Sequence, residues 1–160
     1  MNKFFSIIFI FILFTTSSSN LIPRQTNNFQ VCDSGKTYPV TITKLTFTPN
    51  PIVVGQVLAL ELAGTTQVQI QQNTILQIQG IIFVPVFTYK VDFCNEVLGL
   101  NVPAGSQLCP IPAGNFDYNI SVVIPNDPAL KSLNGLRVRN TLLNPDGTEL
   151  ICLEGPVQIS

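Results

Sequence analysis

Histidine and tryptophan are missing from this 160-residue chain, methionine occurs once, and only 11% of the residues are charged. Each shortage closes a class of function. Without histidine there is no Ser–His–Asp or Cys–His catalysis, no His-bearing zinc site and no imidazole pH switch. Eight Lys and Arg stand against nine Asp and Glu, a formal charge of −1. No basic stripe is therefore available to neutralise phosphates, and nucleic acid is not expected as a partner. The cysteines lack the paired short spacing of a zinc site, and none has a histidine to activate it as a nucleophile. No catalytic residue, metal or cofactor is expected. What is present is 46% hydrophobic residues, twelve Pro, ten Gly and four Cys, in a length that suits one domain.

The start of the chain reads as a targeting segment. Met1-Asn2-Lys3 is a short positive lead, Phe4 to Phe14 is apolar but for one Ser, and Thr15 to Asn20 is small and polar. Spanning a bilayer takes about 20 apolar residues, so this run is too short and fits the core of a secretory signal. A signal peptide is expected over residues 1–19, then a polar lead-in or short pro-segment over 20–31, then one domain over 32–160. Losing Lys3 leaves seven basic against nine acidic groups. The product is expected to be secreted, or lumenal in the secretory or vacuolar pathway. In that oxidising setting Cys32, Cys94, Cys109 and Cys152 imply two disulfides. Four cysteines allow three pairings, and their spacing does not choose among them.

Along the rest of the chain the dominant period is two. Leu58, Leu60 and Leu62 share one parity; Phe116, Tyr118, Ile120, Val122 and Ile124 alternate with mostly polar residues; Leu136, Val138 and Leu142 alternate with Arg137, Arg139 and Thr141. Val68 and Ile70 alternate with Gln67, Gln69 and Gln71, and the six Gln between 67 and 79 suggest a neutral outer face. Val40 and Ile42 are even while Leu45 and Phe47 are odd, which a bulge near Lys44 reconciles. Turn residues punctuate these runs, and no window sustains a helical period. Seven or eight short antiparallel strands imply an all-β sandwich. Residues 81–87, Ile-Ile-Phe-Val-Pro-Val-Phe, break the pattern by being apolar on both parities. Pro85 marks an edge or a bend there.

Four segments appear in register with the cysteines. They are Leu45-Thr46-Phe47-Thr48-Pro49-Asn50-Pro51-Ile52-Val53-Val54-Gly55-Gln56, Asp92-Phe93-Cys94-Asn95-Glu96, Cys109-Pro110-Ile111-Pro112-Ala113-Gly114, and Asp146-Gly147-Thr148-Glu149-Leu150-Ile151-Cys152-Leu153. Together they resemble the ML (lipid-recognition) domain family, which includes the soluble Niemann–Pick type C sterol carrier. The resemblance is closest to the family's fungal phosphatidylglycerol/phosphatidylinositol transfer proteins, and it runs from about Cys32 to Ser160. It implies an immunoglobulin-like sandwich of two sheets held apart around a lipid tail or sterol. It also implies nested disulfides, Cys32–Cys152 and Cys94–Cys109. One departure stands out: Ser132-Leu133-Asn134-Gly135-Leu136 keeps the glycine of the family's P-x-G-x-Y stretch but lacks the tyrosine.

A filled and a hollow sandwich share the same alternation, so the pattern alone does not distinguish core from cavity. The resemblance points to a cavity, and the inward parities nominate its lining: Leu58, Leu60, Leu62, Ile78, Val84, Val86, Phe116, Tyr118, Ile120, Val122, Leu136 and Val138. The stretch 81–87 is expected at the mouth, against membrane, or under the loop 95–108, where Leu98, Leu100 and Val102 suggest an apolar rim. The expected partners are a phospholipid or sterol and, transiently, a membrane surface, with the protein acting as a monomer. The rival function is a structural or adhesive sandwich that recognises protein or glycan through its loops. Asn119-Ile120-Ser121 is the sole glycosylation sequon, on the polar parity of its strand. Arg137 and Arg139 share an outward parity that suits a solvated face better than an anionic headgroup site.

Overall fold

In the computed structural model, which describes residues 29–101 and 108–160, eight strands form two antiparallel sheets. The strands are β1 (Gln30–Val31), β2 (Val40–Thr48), β3 (Val57–Thr66), β4 (Ile75–Ile81), β5 (Pro85–Asp92), β6 (Gly114–Val123), β7 (Arg137–Leu143) and β8 (Glu149–Pro156). The larger sheet runs β1-β8-β7-β4-β5 and the smaller β2-β3-β6. They face each other as an immunoglobulin-like β-sandwich. The expected signal segment, most of the lead-in and Val102 lie outside the described residues, and so does the side chain of Leu100.

Local chemistry explains most strand boundaries. β3 and β6 pair over their whole lengths, so Leu58, Leu60 and Leu62 meet Val122, Ile120 and Tyr118 on the inner face. The β2–β3 register shifts between Ile42 and Lys44. That bulge lets Val40, Ile42, Leu45 and Phe47 all turn inward despite their change of parity. β4 and β5 form a hairpin with β5 at the sheet edge, where Pro85 removes no ladder hydrogen bond that a neighbour needs. Gly147, at φ 86°, closes the turn into β8, a backbone shape that favours glycine.

The alternation at 67–71 does not make a strand; only Ile70 forms a bridge, with Ile111. Side chains satisfy this segment's backbone instead of a ladder. The Thr66 hydroxyl donates to the Val68 carbonyl. The Asn144 carboxamide accepts from the Gln71 N–H at 3.0 Å and donates to the Gln69 carbonyl at 3.0 Å.

The disulfides are nested. Cys32–Cys152 ties the start of the described chain to β8 across 120 residues, and Cys94–Cys109 closes a 15-residue excursion between β5 and β6. The core lies between the sheets and is densest at β8, where Leu150, Ile151, Cys152 and Leu153 are all buried.

Candidate functional site

Between the sheets the side chains do not meet everywhere, and an apolar cavity of about 200 Å³ remains. The smaller sheet supplies Val40, Ile42, Leu45 and Phe47 from β2, Leu60 and Leu62 from β3, and Phe116, Tyr118 and Ile120 from β6. Facing them are Leu76 from β4, Asn140 and Leu142 from β7, and Ile151 and Leu153 from β8. Ile70, Phe93 and Val97 close one end, and Phe29 closes the flank beside β2, its ring 6.1 Å from that of Phe47.

Of the twelve nominated lining positions, Leu60, Leu62, Phe116, Tyr118 and Ile120 border this cavity. Leu58 is buried and Val122 half-buried one rung beyond it on the same inner face. Ile78 and Val138 face inward on β4 and β7 but lie nearer the opposite end, and Leu136 precedes β7. Val84 and Val86 are corrections: they are 66% and 52% exposed. Their stretch is a hairpin tip and an edge strand, so no second layer covers it.

Much of the wall carries little signal in the sequence. The β2 residues were visible once the bulge was placed. Ile151 and Leu153 were hidden because β8 is buried on both faces, which erases the alternation. Asn140 had a signal: it is the one polar residue in the inward series Val138, Asn140, Leu142.

On one flank the outermost strands of the two sheets are β5 and β6. Phe87 and Tyr89 share the inward face of β5, since Phe87 pairs with Gly80 and Tyr89 with Ile78. Yet they are 41% and 60% exposed. A Cβ at Gly80 would stand 2.1 Å from the Phe87 ring, so a larger residue there would displace that ring. Beyond this flank projects the tip Ile82-Phe83-Val84, with Phe83 96% exposed. Leu98, by contrast, is buried rather than part of a rim. No acidic residue occurs between Glu61 and Asp92.

Little charge approaches the cavity. Burial raises the Tyr118 phenol above its ordinary pKa. Arg137 and Arg139 lie on the outer face of the larger sheet, both paired with Glu154, the Arg139 contact being 2.7 Å. Asn119 is exposed on the outer face of β6. The lining is hydrocarbon apart from the Asn140 carboxamide and the Tyr118 phenol.

An immunoglobulin-like sandwich with an apolar chamber between its sheets is thus the class of protein. Residues 26–159 match the ML domain family, and the chain belongs to it. Among its relatives is a phosphatidylglycerol/phosphatidylinositol transfer protein of Mycosarcoma maydis, 25% identical over 137 residues, covering 85% of this chain and 67% of the relative. A protein of the same name from Kluyveromyces lactis is 25% identical over 147 residues, covering 88% and 79% respectively. The crystal structure of a Niemann–Pick type C2 protein from Japanese carpenter ant superposes with a TM-score of 0.59 at 14% identity, over 82% of this chain and 98% of that one. That likeness is one of fold.

Proposed function

We propose that the protein is a secreted or lumenal lipid carrier. It shelters the hydrocarbon of a phospholipid, such as phosphatidylglycerol or phosphatidylinositol, or of a sterol, and moves it between membranes as a monomer. The observation that carries this reading is the apolar cavity between the sheets of an ML-domain chain. Hiding acyl or sterol carbon from water is worth about 0.8 kcal/mol per CH₂, and wall residues from both sheets supply that shelter without catalysis.

At about 200 Å³ the cavity is smaller than the roughly 300–1,000 Å³ usual for ligand sites. A two-chain guest therefore needs the sheets to move apart. The β5–β6 flank is the seam at which they separate, because Phe87 and Tyr89 already lack cover there. The tip Ile82-Phe83-Val84 meets the donor or acceptor bilayer, an uncharged apolar finger beside the seam. Residues 1–19 act as the signal peptide, in keeping with two disulfides, and Asn119 carries a glycan that points away from the cavity.

The test is transfer of fluorescent phosphatidylglycerol, phosphatidylinositol or sterol from donor to acceptor vesicles by purified protein. Acceleration above the spontaneous rate for at least one of these lipids is expected. No acceleration for any of them favours the adhesive sandwich instead.

A further inference from the structure

Asn140 sits midway along β7, an interior strand of the larger sheet, and borders the cavity. Its neighbours on that face are apolar: Val138 and Leu142 along the strand, Ile78 and Leu153 across the ladders. An Asn carboxamide offers two N–H donors and a carbonyl acceptor. Among the described residues no hydrogen bond reaches the Asn140 carboxamide. Asn144, four residues further on and just past the end of β7, shows what a structural asparagine looks like in this protein. Its oxygen accepts from the Thr74 hydroxyl at 2.6 Å and from the Gln71 N–H at 3.0 Å, while its nitrogen donates to the Gln69 carbonyl at 3.0 Å. The same side chain makes three hydrogen bonds in one place and none in the other. Asn140 is half-buried, and a polar group left unpaired against an apolar wall is unfavourable in proportion to its burial; a leucine of similar size would fit the hydrocarbon chamber without that penalty.

We infer that Asn140 is a specificity residue that hydrogen-bonds an oxygen of the bound lipid inside the chamber. This rests on the carrier reading above and narrows it: the guest is a lipid with a hydrogen-bonding oxygen set among its carbons, not plain hydrocarbon. Two lipid oxygens fit. An ester carbonyl of a glycerolipid accepts from the Asn140 N–H, and a sterol hydroxyl donates to its carbonyl oxygen. The Tyr118 hydroxyl on the facing sheet also lacks a hydrogen bond among the described residues, so the guest meets a polar group from each wall.

The experiment compares wild type with Asn140→Leu in equilibrium binding of four lipids. These are diacyl phosphatidylglycerol, its dialkyl ether analogue, cholesterol, and the same sterol lacking its 3-hydroxyl. Wild type is expected to prefer the ester lipid to the ether, or the hydroxylated sterol to its deoxy form, by about tenfold, the usual worth of one hydrogen bond. Whichever pair shows the preference identifies the oxygen. Asn140→Leu is expected to abolish that preference, with affinity for the ether or deoxy partner no weaker than in wild type. A preference that survives the substitution, an equal loss for all four lipids, or a wild type that binds without discrimination overturns the inference. Urea unfolding of the lipid-free proteins gives a second reading. Asn140→Leu is expected to be at least as stable as wild type, and a marked loss would reveal a protein partner for Asn140 and overturn the inference. Binding of none of the four by a wild type that still transfers phosphatidylinositol overturns this inference alone; should it move no phosphatidylinositol either, the carrier reading itself fails and takes this inference with it.

Discussion

Leu60 on β3 and Ile120 on β6 are direct partners across the ladder, and both side chains border the same cavity. A larger side chain at either position therefore grows into empty space rather than into packed atoms. Leu60→Trp is expected to occupy the chamber and cut lipid uptake by at least about tenfold. Its urea midpoint should stay close to wild type, since overpacking costs about 1–3 kcal/mol only where the core is already full. Uptake assays and denaturation curves on the same preparation check this; unchanged uptake would place the guest elsewhere.

Phe83 stands 96% exposed at the β4–β5 tip, and burying such a side chain is worth about 1.5–3 kcal/mol. Phe83→Ser is expected to weaken binding to lipid vesicles about tenfold or more. Uptake of lipid presented in detergent should be unaffected, because the tip is not part of the cavity wall. Vesicle co-sedimentation alongside the detergent assay separates the two effects.

The nested bridges are expected to contribute unequally. In the chain-entropy picture a loop the size of that closed by Cys32–Cys152 is worth about 4–5 kcal/mol, and one like that of Cys94–Cys109 about 3 kcal/mol. Replacing Cys32 and Cys152 by Ser should therefore lower unfolding free energy more than replacing Cys94 and Cys109. Urea titrations of the two double variants give the order directly.

Glu154 gives a pH signature. Burial pushes its carboxyl up, and the guanidinium groups of Arg139 and Arg137 more than offset this, so it titrates below its ordinary value. A depressed carboxyl stabilises the fold above its unfolded pKa, and that stability is lost as pH falls through the folded one. Wild type should exceed Glu154→Gln in stability at neutral pH. The gap should narrow on acidification below the usual glutamate range, which melting curves from pH 7 downward would record.

Much of this architecture was legible in the sequence. Period-two runs located β3, β6 and β7, and a parity change at Lys44 located the bulge in β2. The cysteine contexts identified the family. What the sequence hid follows from two physical causes. A strand covered on both faces, such as β8, has no polar parity to reveal its inner side, so Ile151 and Leu153 went unseen as wall residues. An apolar run read alone does not say whether anything covers it, so Val84 and Val86 were placed inside although they lie on an exposed hairpin. The short Gln67–Gln71 alternation misled for a third reason: hydrogen bonds from the distant Asn144 replace the ladder there.

Native mass spectrometry of protein recovered from mixed phosphatidylglycerol, phosphatidylinositol and sterol liposomes tests the chamber's occupancy most directly. A mass increase equal to a single lipid, absent from Leu60→Trp, is the expected result. Protein that returns from every liposome at its bare mass would contradict it.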